Sequence, residues 1–190
     1  MALILLVALA PLICAIILLQ LAVYKSEVFF FQERSGLNGN TFNLIKFRTM
    51  LDKRSLSGQQ LPDKDRITLL GKILRFTSLD ELPNLINVLK NDMSFIGPRP
   101  FPSSYFKLMS NEQKRRYSVR PGITGLAQTK GRNNLTWKTK ILYDLEYIEN
   151  INILSDFLIS LKTLTFLFSN KKNETLGDQS IDNFTPNFDH

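Results

Sequence analysis

The apolar positions of this chain fall into blocks of different period, and the first is the densest: from Ala2 to Val23 the only polar side chain is Gln20. A straight helix of that length reaches roughly 33 Å, enough to span a bilayer core. Pro11, near the middle, removes one helical hydrogen bond and predicts a kink, so the segment can either turn back or span. Val28–Arg34 and Thr41–Phe47 read as strands, and the turn-rich Ser35-Gly36-Leu37-Asn38-Gly39-Asn40 between them predicts a hairpin. The mostly polar stretch from Leu51 to Asp65, with Gly58 and Pro62, predicts a loop.

Helical spacing returns with Leu70, Ile73 and Leu74 inside Ile67–Phe76. Proline is tolerated only in the first turn of a helix, so the helix that carries Leu82, Leu85, Ile86 and Leu89 around Pro83 is predicted to start near Leu79 or Asp80. Phe95 to Pro100 reads as irregular, because Pro98 and Pro100 fix the backbone on both sides of Arg99. Leu154, Phe157, Leu158, Leu161 and Leu164 form one apolar stripe, the usual mark of a core-packed helix. From Ser169 the chain turns polar, which predicts a disordered tail over 169–190.

Charge adds a partner class. The net charge is +7 and residues 1–23 carry no charged side chain, so the whole excess lies after Val23. Such a surface suits anionic headgroups, nucleotide diphosphates or nucleic acid. No helix-turn-helix, zinc-finger or aromatic RNA-binding signature accompanies it, which argues against nucleic acid. Cys14 is the only cysteine and His190, the last residue, the only histidine. An intramolecular disulfide is excluded, and thiolate zinc sites and serine–histidine catalysis are set aside, leaving acid–base work to carboxylates, lysine, tyrosine or water.

Within those limits the chemistry concentrates in SLDELPNLINVLKNDMSFIGPRP, Ser78 to Pro100. Asp80 and Glu81 stand at a predicted helix start, where the dipole and unpaired N–H groups favour an ionised carboxylate. A plain cap, with Ser78 and Glu81 as a capping box, is the competing reading. Arg99, framed by prolines, is pre-ordered for bidentate phosphate contact, and Arg75, five positions before Asp80, can point into the same site. Arg120-Pro121-Gly122-Ile123-Thr124-Gly125 predicts a second rigid turn whose N–H groups could approach a nucleotide. Gln128 and Arg132 are candidates for its nucleotide or sugar end.

Five ordered blocks carry a resemblance: the proline-bearing apolar segment, FFQERSGLNGNTFNLIKFRTM at 30–50, SLDELPNLINVLK, DMSFIGPRP at 92–100 and RPGITGLAQ at 120–128. Together they resemble the small monotopic phosphoglycosyl transferases, bacterial sugar transferases, over about Leu3 to Phe168. The resemblance implies an α+β, mostly helical fold: a re-entrant membrane helix over 1–24, a short hairpin, and a helical catalytic domain over 25–168 with an interfacial amphipathic helix at the Leu154–Leu164 stripe. It implies transfer of a phosphosugar from a UDP-sugar to polyprenyl (undecaprenyl) phosphate through an aspartyl intermediate on Asp80, with release of UMP, as the first membrane step of surface glycan assembly at the cytoplasmic face of the bacterial inner membrane. Downstream glycosyltransferases are conceivable partners.

By the same resemblance Lys46, Arg48 and Thr49 could contact phosphate, and Tyr143, Asp144 and Tyr147 partly match a motif that supports the site. Magnesium is the expected cation, with Glu81 its best candidate ligand beside Asp80. The chain departs from the family in having Ala10-Pro11 where a Ser-Pro break is usual, and in beginning MALILLVALAP without a preceding basic stretch; a plain span is therefore the alternative to re-entry. The functional alternative is a non-catalytic, membrane-anchored module, or degenerate transferase, that reads anionic lipids or partner proteins.

Overall fold

A computed structural model describes residues 1–25, 27–55, 57–131 and 135–168. The mostly helical α+β architecture is as expected. The apolar block forms one helix, α1, Ala2–Tyr24, with Pro11 inside it. The hairpin follows as β1, Phe29–Ser35, and β2, Thr41–Phe47, antiparallel with Phe29 opposite Phe47 and Ser35 opposite Thr41. Asn38 takes a left-handed backbone in the turn, at φ 56°, a conformation asparagine tolerates better than most residues.

The stretch expected to be a loop is partly ordered. Arg54 and Gln60 form an isolated bridge, and Asp63–Arg66 closes a single helical turn, α2. Helix α3, Leu69–Thr77, is started by the Thr68 hydroxyl, which accepts from the Gly71 N–H at 2.9 Å, and is stopped by Ser78 in a left-handed conformation at φ 60°. The helix expected from Leu79 is divided: Leu79–Glu81 form a 3₁₀ turn, and only Asn84–Leu89, α4, are α-helical. Pro83 is the physical cause, since it has no N–H to return to Leu79 and the first turns close through i→i+3 bonds instead. Ser78 makes no side-chain cap, so the capping-box reading fails there; a true capping box stands at Ser110 and Gln113.

A second, parallel pair of short strands joins β3, Ser94–Ile96, to β4, Gly122–Thr124. Phe95 and Ile96 are thus strand residues, and the irregular run narrows to Gly97–Pro100. Between the strands lie α5, Ser103–Phe106, and α6, Asn111–Lys114, and after them α7, Leu126–Lys130, α8, Trp137–Glu149, and α9, Ile153–Phe168.

Two apolar clusters hold these elements. Ile16 of α1 packs with Val28, Phe47 and Leu74, so the C-terminal part of α1 belongs to the domain core. Gln20, fully buried, donates to the Arg48 carbonyl at 2.9 Å, which explains the one polar residue in the apolar run. The second cluster gathers Phe101, Tyr105, Met109, Tyr117 and Ile141, with Trp137 edge-on to Phe101 at 5.0 Å. The α9 stripe is not core-packed: Leu154, Phe157, Leu158, Leu161 and Leu164 are exposed, and Ile159 supplies the buried face. The 169–190 tail lies outside the described residues.

Candidate active site

The hairpin and α4 are joined by one side chain. Asn87, buried among the apolar residues of α4, accepts from the Ile45 N–H at 3.1 Å and donates to the Asn43 carbonyl at 2.8 Å. That pairing satisfies two backbone groups on one edge of β2 and sets the register between β2 and the 3₁₀ turn. Lys46, near the end of β2, consequently faces Glu81: Nζ lies 2.7 Å from Oε1. Arg99 reaches the same oxygen from the proline-framed loop, with Nη2 at 2.6 Å. Glu81 is thus held by two cations from two elements distant in sequence.

Electrostatics separates the two neighbouring carboxylates. Burial alone would push Glu81 up, but Arg99 and then Lys46 outweigh it and hold its carboxyl well below the usual range. Asp80 goes the other way: burial and the Glu81 charge raise it, against the pull of Lys46, Arg75 and Arg99. The helix-start environment therefore does not dominate Asp80 as the sequence suggested, because the α-helix begins only at Asn84 and desolvation is the larger effect. Among the described residues the Asp80 side chain makes no hydrogen bond or ion pair. It is a carboxylate surrounded by cations but tied to none.

Of the other expected phosphate contacts, Arg75 donates Nε–H to the Thr49 hydroxyl at 2.9 Å and lies near enough for its charge to act on Asp80. Arg48 does not join them. It lies one residue past the end of β2, where the strand alternation no longer sets its direction, and pairs with Glu27 at 2.8 Å.

The second turn is put to structural use. The Gly122 N–H donates to the Pro98 carbonyl at 3.0 Å, and a Cβ on Gly122 would overlap the Gly97 nitrogen, so this glycine serves backbone packing and its N–H is not free for a nucleotide. Gly122 and Ile123 still line a small cleft with Arg34, Lys46, Glu81 and Arg99. Arg120 is exposed and donates to the Asn91 carbonyl at 3.0 Å. Thr124 pairs with Thr163 at 2.7 Å, and Gln128 donates to the Ile123 carbonyl at 3.0 Å while its buried Oε1 has no partner among the described residues. Arg132 lies outside the described residues. Tyr147 donates to Asp156 at 3.0 Å, and the Tyr143 ring lies 5.8 Å from the Lys130 ammonium. Asp144 is buried against Arg116 at 2.7 Å.

Sequence reasoning passed over Arg34 and Arg116. Arg34 sits at a strand end that carried no signal of chemistry, yet it lines the cleft, where burial and then the nearby Arg99 charge lower its guanidinium to about 10. Arg116 was hidden in the basic run KRR, where nothing distinguishes a buried guanidinium from a solvated one.

A model of the family described as bacterial sugar transferase matches residues 1–170. The chain belongs to the bacterial sugar transferase family. Over 174 residues this transferase is 42% identical to the uncharacterized sugar transferase EpsL of Bacillus subtilis, covering 90% of the chain and 86% of the relative. It is 40% identical to a UDP-glucose:undecaprenyl-phosphate glucose-1-phosphate transferase of Caulobacter vibrioides, over 74% of the chain and 56% of that protein. It is 36% identical to an undecaprenyl-phosphate galactose phosphotransferase of Salmonella typhimurium, over 69% of the chain and 31% of that protein. The transferase is thus an enzyme, and the cleft lined by Glu81, with Asp80 next to it in sequence, is its candidate catalytic centre.

Magnesium can be tested against that centre. Among the described residues no three His, Cys, Asp or Glu side chains cluster to hold a metal. Two adjacent carboxylates, Asp80 unpaired and Glu81 with Oε2 only weakly engaged at 3.5 Å from Arg99, nevertheless fit a cation that binds through one or two carboxylates plus substrate phosphates.

Proposed function

We propose that this enzyme, a phosphoglycosyl transferase, moves a phosphosugar from a UDP-sugar to polyprenyl phosphate by way of an aspartyl intermediate. The observation that carries this reading is Asp80, an unpaired carboxylate within reach of the charges of Lys46, Arg75 and Arg99. An Asp80 oxygen attacks the sugar-bearing phosphorus, the bond to the bridging oxygen breaks, and UMP leaves with that oxygen. A phosphate oxygen of polyprenyl phosphate then attacks the same phosphorus and returns the Asp80 carboxylate. Two anionic substrates never have to share the site, which matters because two unit charges ~4 Å apart repel by about 4 kcal/mol at an effective dielectric near 20. Arg99 and Lys46 compensate the developing charge at fixed positions. Asp80 and Glu81 would hold magnesium together with the donor phosphates, and when bound it neutralises charge on the phosphate oxygens. A non-catalytic lipid-reading module would need nothing of Asp80.

The membrane element fits this chemistry as a shallow anchor. Helix α1 is long and apolar enough to cross a membrane. Ile13, Ile16 and Ile17 tie one face of its C-terminal half to the domain, while Leu18, Leu19, Leu21 and Val23 remain exposed, so both arms about Pro11 offer apolar surface to lipid. The exposed stripe of α9 suits the interface. In this reading α1 re-enters at Pro11, both ends are cytoplasmic, and the acceptor's phosphate meets Asp80 at the membrane surface of the bacterial inner membrane. The test is to incubate the nanodisc-held protein with magnesium, polyprenyl phosphate and a panel of UDP-sugars and to measure UMP. Release with one donor, dependent on Asp80, is expected; none with any donor would overturn the reading.

A further inference from the structure

The Pro98-Arg99-Pro100 loop is held by its carbonyls. Prolines have no N–H to give, and each successive carbonyl takes a donor from a different part of the chain. Pro98 O accepts from the Gly122 N–H at 3.0 Å, Arg99 O from Arg116 Nη2 at 2.6 Å, and Pro100 O from Arg34 Nη1 at 3.0 Å. Phe101 O then accepts from the Ser35 N–H at 3.0 Å.

Arg116 is the unusual member. It is 1% exposed, its Nε and Nη2 both donate to Asp144 Oδ2 at 3.0 and 2.7 Å, and its guanidinium carbon lies 3.5 Å from the Phe101 ring centroid. A sealed ion pair is a poor source of stability, because desolvation offsets most of the attraction. What this pair supplies is a donor of fixed direction at the backbone of the residue whose side chain grips Glu81. We propose that Arg116, oriented by Asp144 and seconded by Arg34, is a positioning residue for Arg99 in phosphosugar transfer. Neither guanidinium needs to touch substrate for this. With three carbonyls fixed in sequence, Arg99 loses backbone freedom, and its fork is presented to the cleft in one orientation.

The inference rests on Arg99 acting in the site, and a double-mutant cycle separates the two claims. Arg116→Lys, Asp144→Asn and Arg34→Gln are each made alone and with Arg99→Ala, with folding checked by near-UV circular dichroism. The readouts are kcat/KM for UMP release and affinity for uridine diphosphate by titration calorimetry. Arg116→Lys should lower kcat/KM by about tenfold or more when Arg99 is present and change little further when it is absent. Equal losses with and without Arg99, or a folded Arg116→Lys enzyme with wild-type kinetics, would overturn the inference. If Arg116→Lys and Asp144→Asn do not fold, the cycle through the less buried Arg34 decides in the same way. An Arg99→Ala enzyme with normal kinetics would instead remove Arg99 from the site, and with it the reading underneath.

Discussion

Lys46 and Glu81 stand 35 positions apart in sequence and 2.7 Å apart in space, so the end of the hairpin is fixed to the carboxylate pair it serves. With Arg99 on the same oxygen, the Glu81 carboxyl is held well below the usual carboxylate range. Its folded pKa lies below the ordinary 4.5, so the pair's contribution to stability is fully present above 4.5 and is lost as pH falls below it toward the folded value. Glu81→Gln should lower Tm by about 4 °C at neutral pH, and the gap to the wild type should close on acidification below 4.5. Thermal unfolding across that range, without magnesium, measures it; a gap that stays constant would contradict the ion pair.

Asp80→Asn keeps shape but removes the attacking charge, and should reduce turnover by about 10³-fold or more with the fold unchanged. A phosphosugar adduct trapped with donor alone should map to Asp80 in the wild type and vanish in the variant. Mass spectrometry of the labelled peptide decides the point.

The acid limb of kcat/KM should report Asp80, whose pKa is raised by burial and by Glu81. Attack requires the ionised form, so activity should fall as pH drops through a value above the ordinary aspartate 3.8. Replacing Arg75 with Gln removes one opposing charge and should move the limb to higher pH. A limb that stays in place would take Arg75 away from Asp80.

Arg99→Lys keeps the charge but loses the two-pronged geometry, and should lower the transfer rate by about 10²-fold while vesicle association stays unchanged. Normal transferase kinetics in this variant would exclude Arg99 from phosphate binding. Chelation should also stop UMP release and added magnesium restore it, since among the described residues the site offers two carboxylates in place of a closed metal cage.

Topology can be read with a single cysteine. In a Cys14→Ala background, Ala2→Cys should resist an impermeant reagent applied to intact cells if α1 re-enters. Labelling from outside would establish a full span.

The sequence by itself determined several of the local elements and the family. The strict bounds of β2, the apolar run of α1 and the helical spacing of α3 are set by side-chain periodicity over a few residues, which needs no knowledge of neighbours. The Asp80-Glu81 pair and the proline-framed Arg99 were legible for the same reason: their chemistry is carried by adjacent residues. Only the tertiary structure decided which cations meet which carboxylates. Lys46 faces Glu81 while Arg48, two positions on, turns to Glu27, and the Arg120 turn spends its groups on the backbone of residues 91–98. Arg116, which nothing in the run KRR distinguishes from its neighbours, is buried on Asp144 behind Arg99. Long-range pairing depends on where the chain returns, and desolvation depends on what covers a group after it has returned; neither quantity is a property of residue type or spacing.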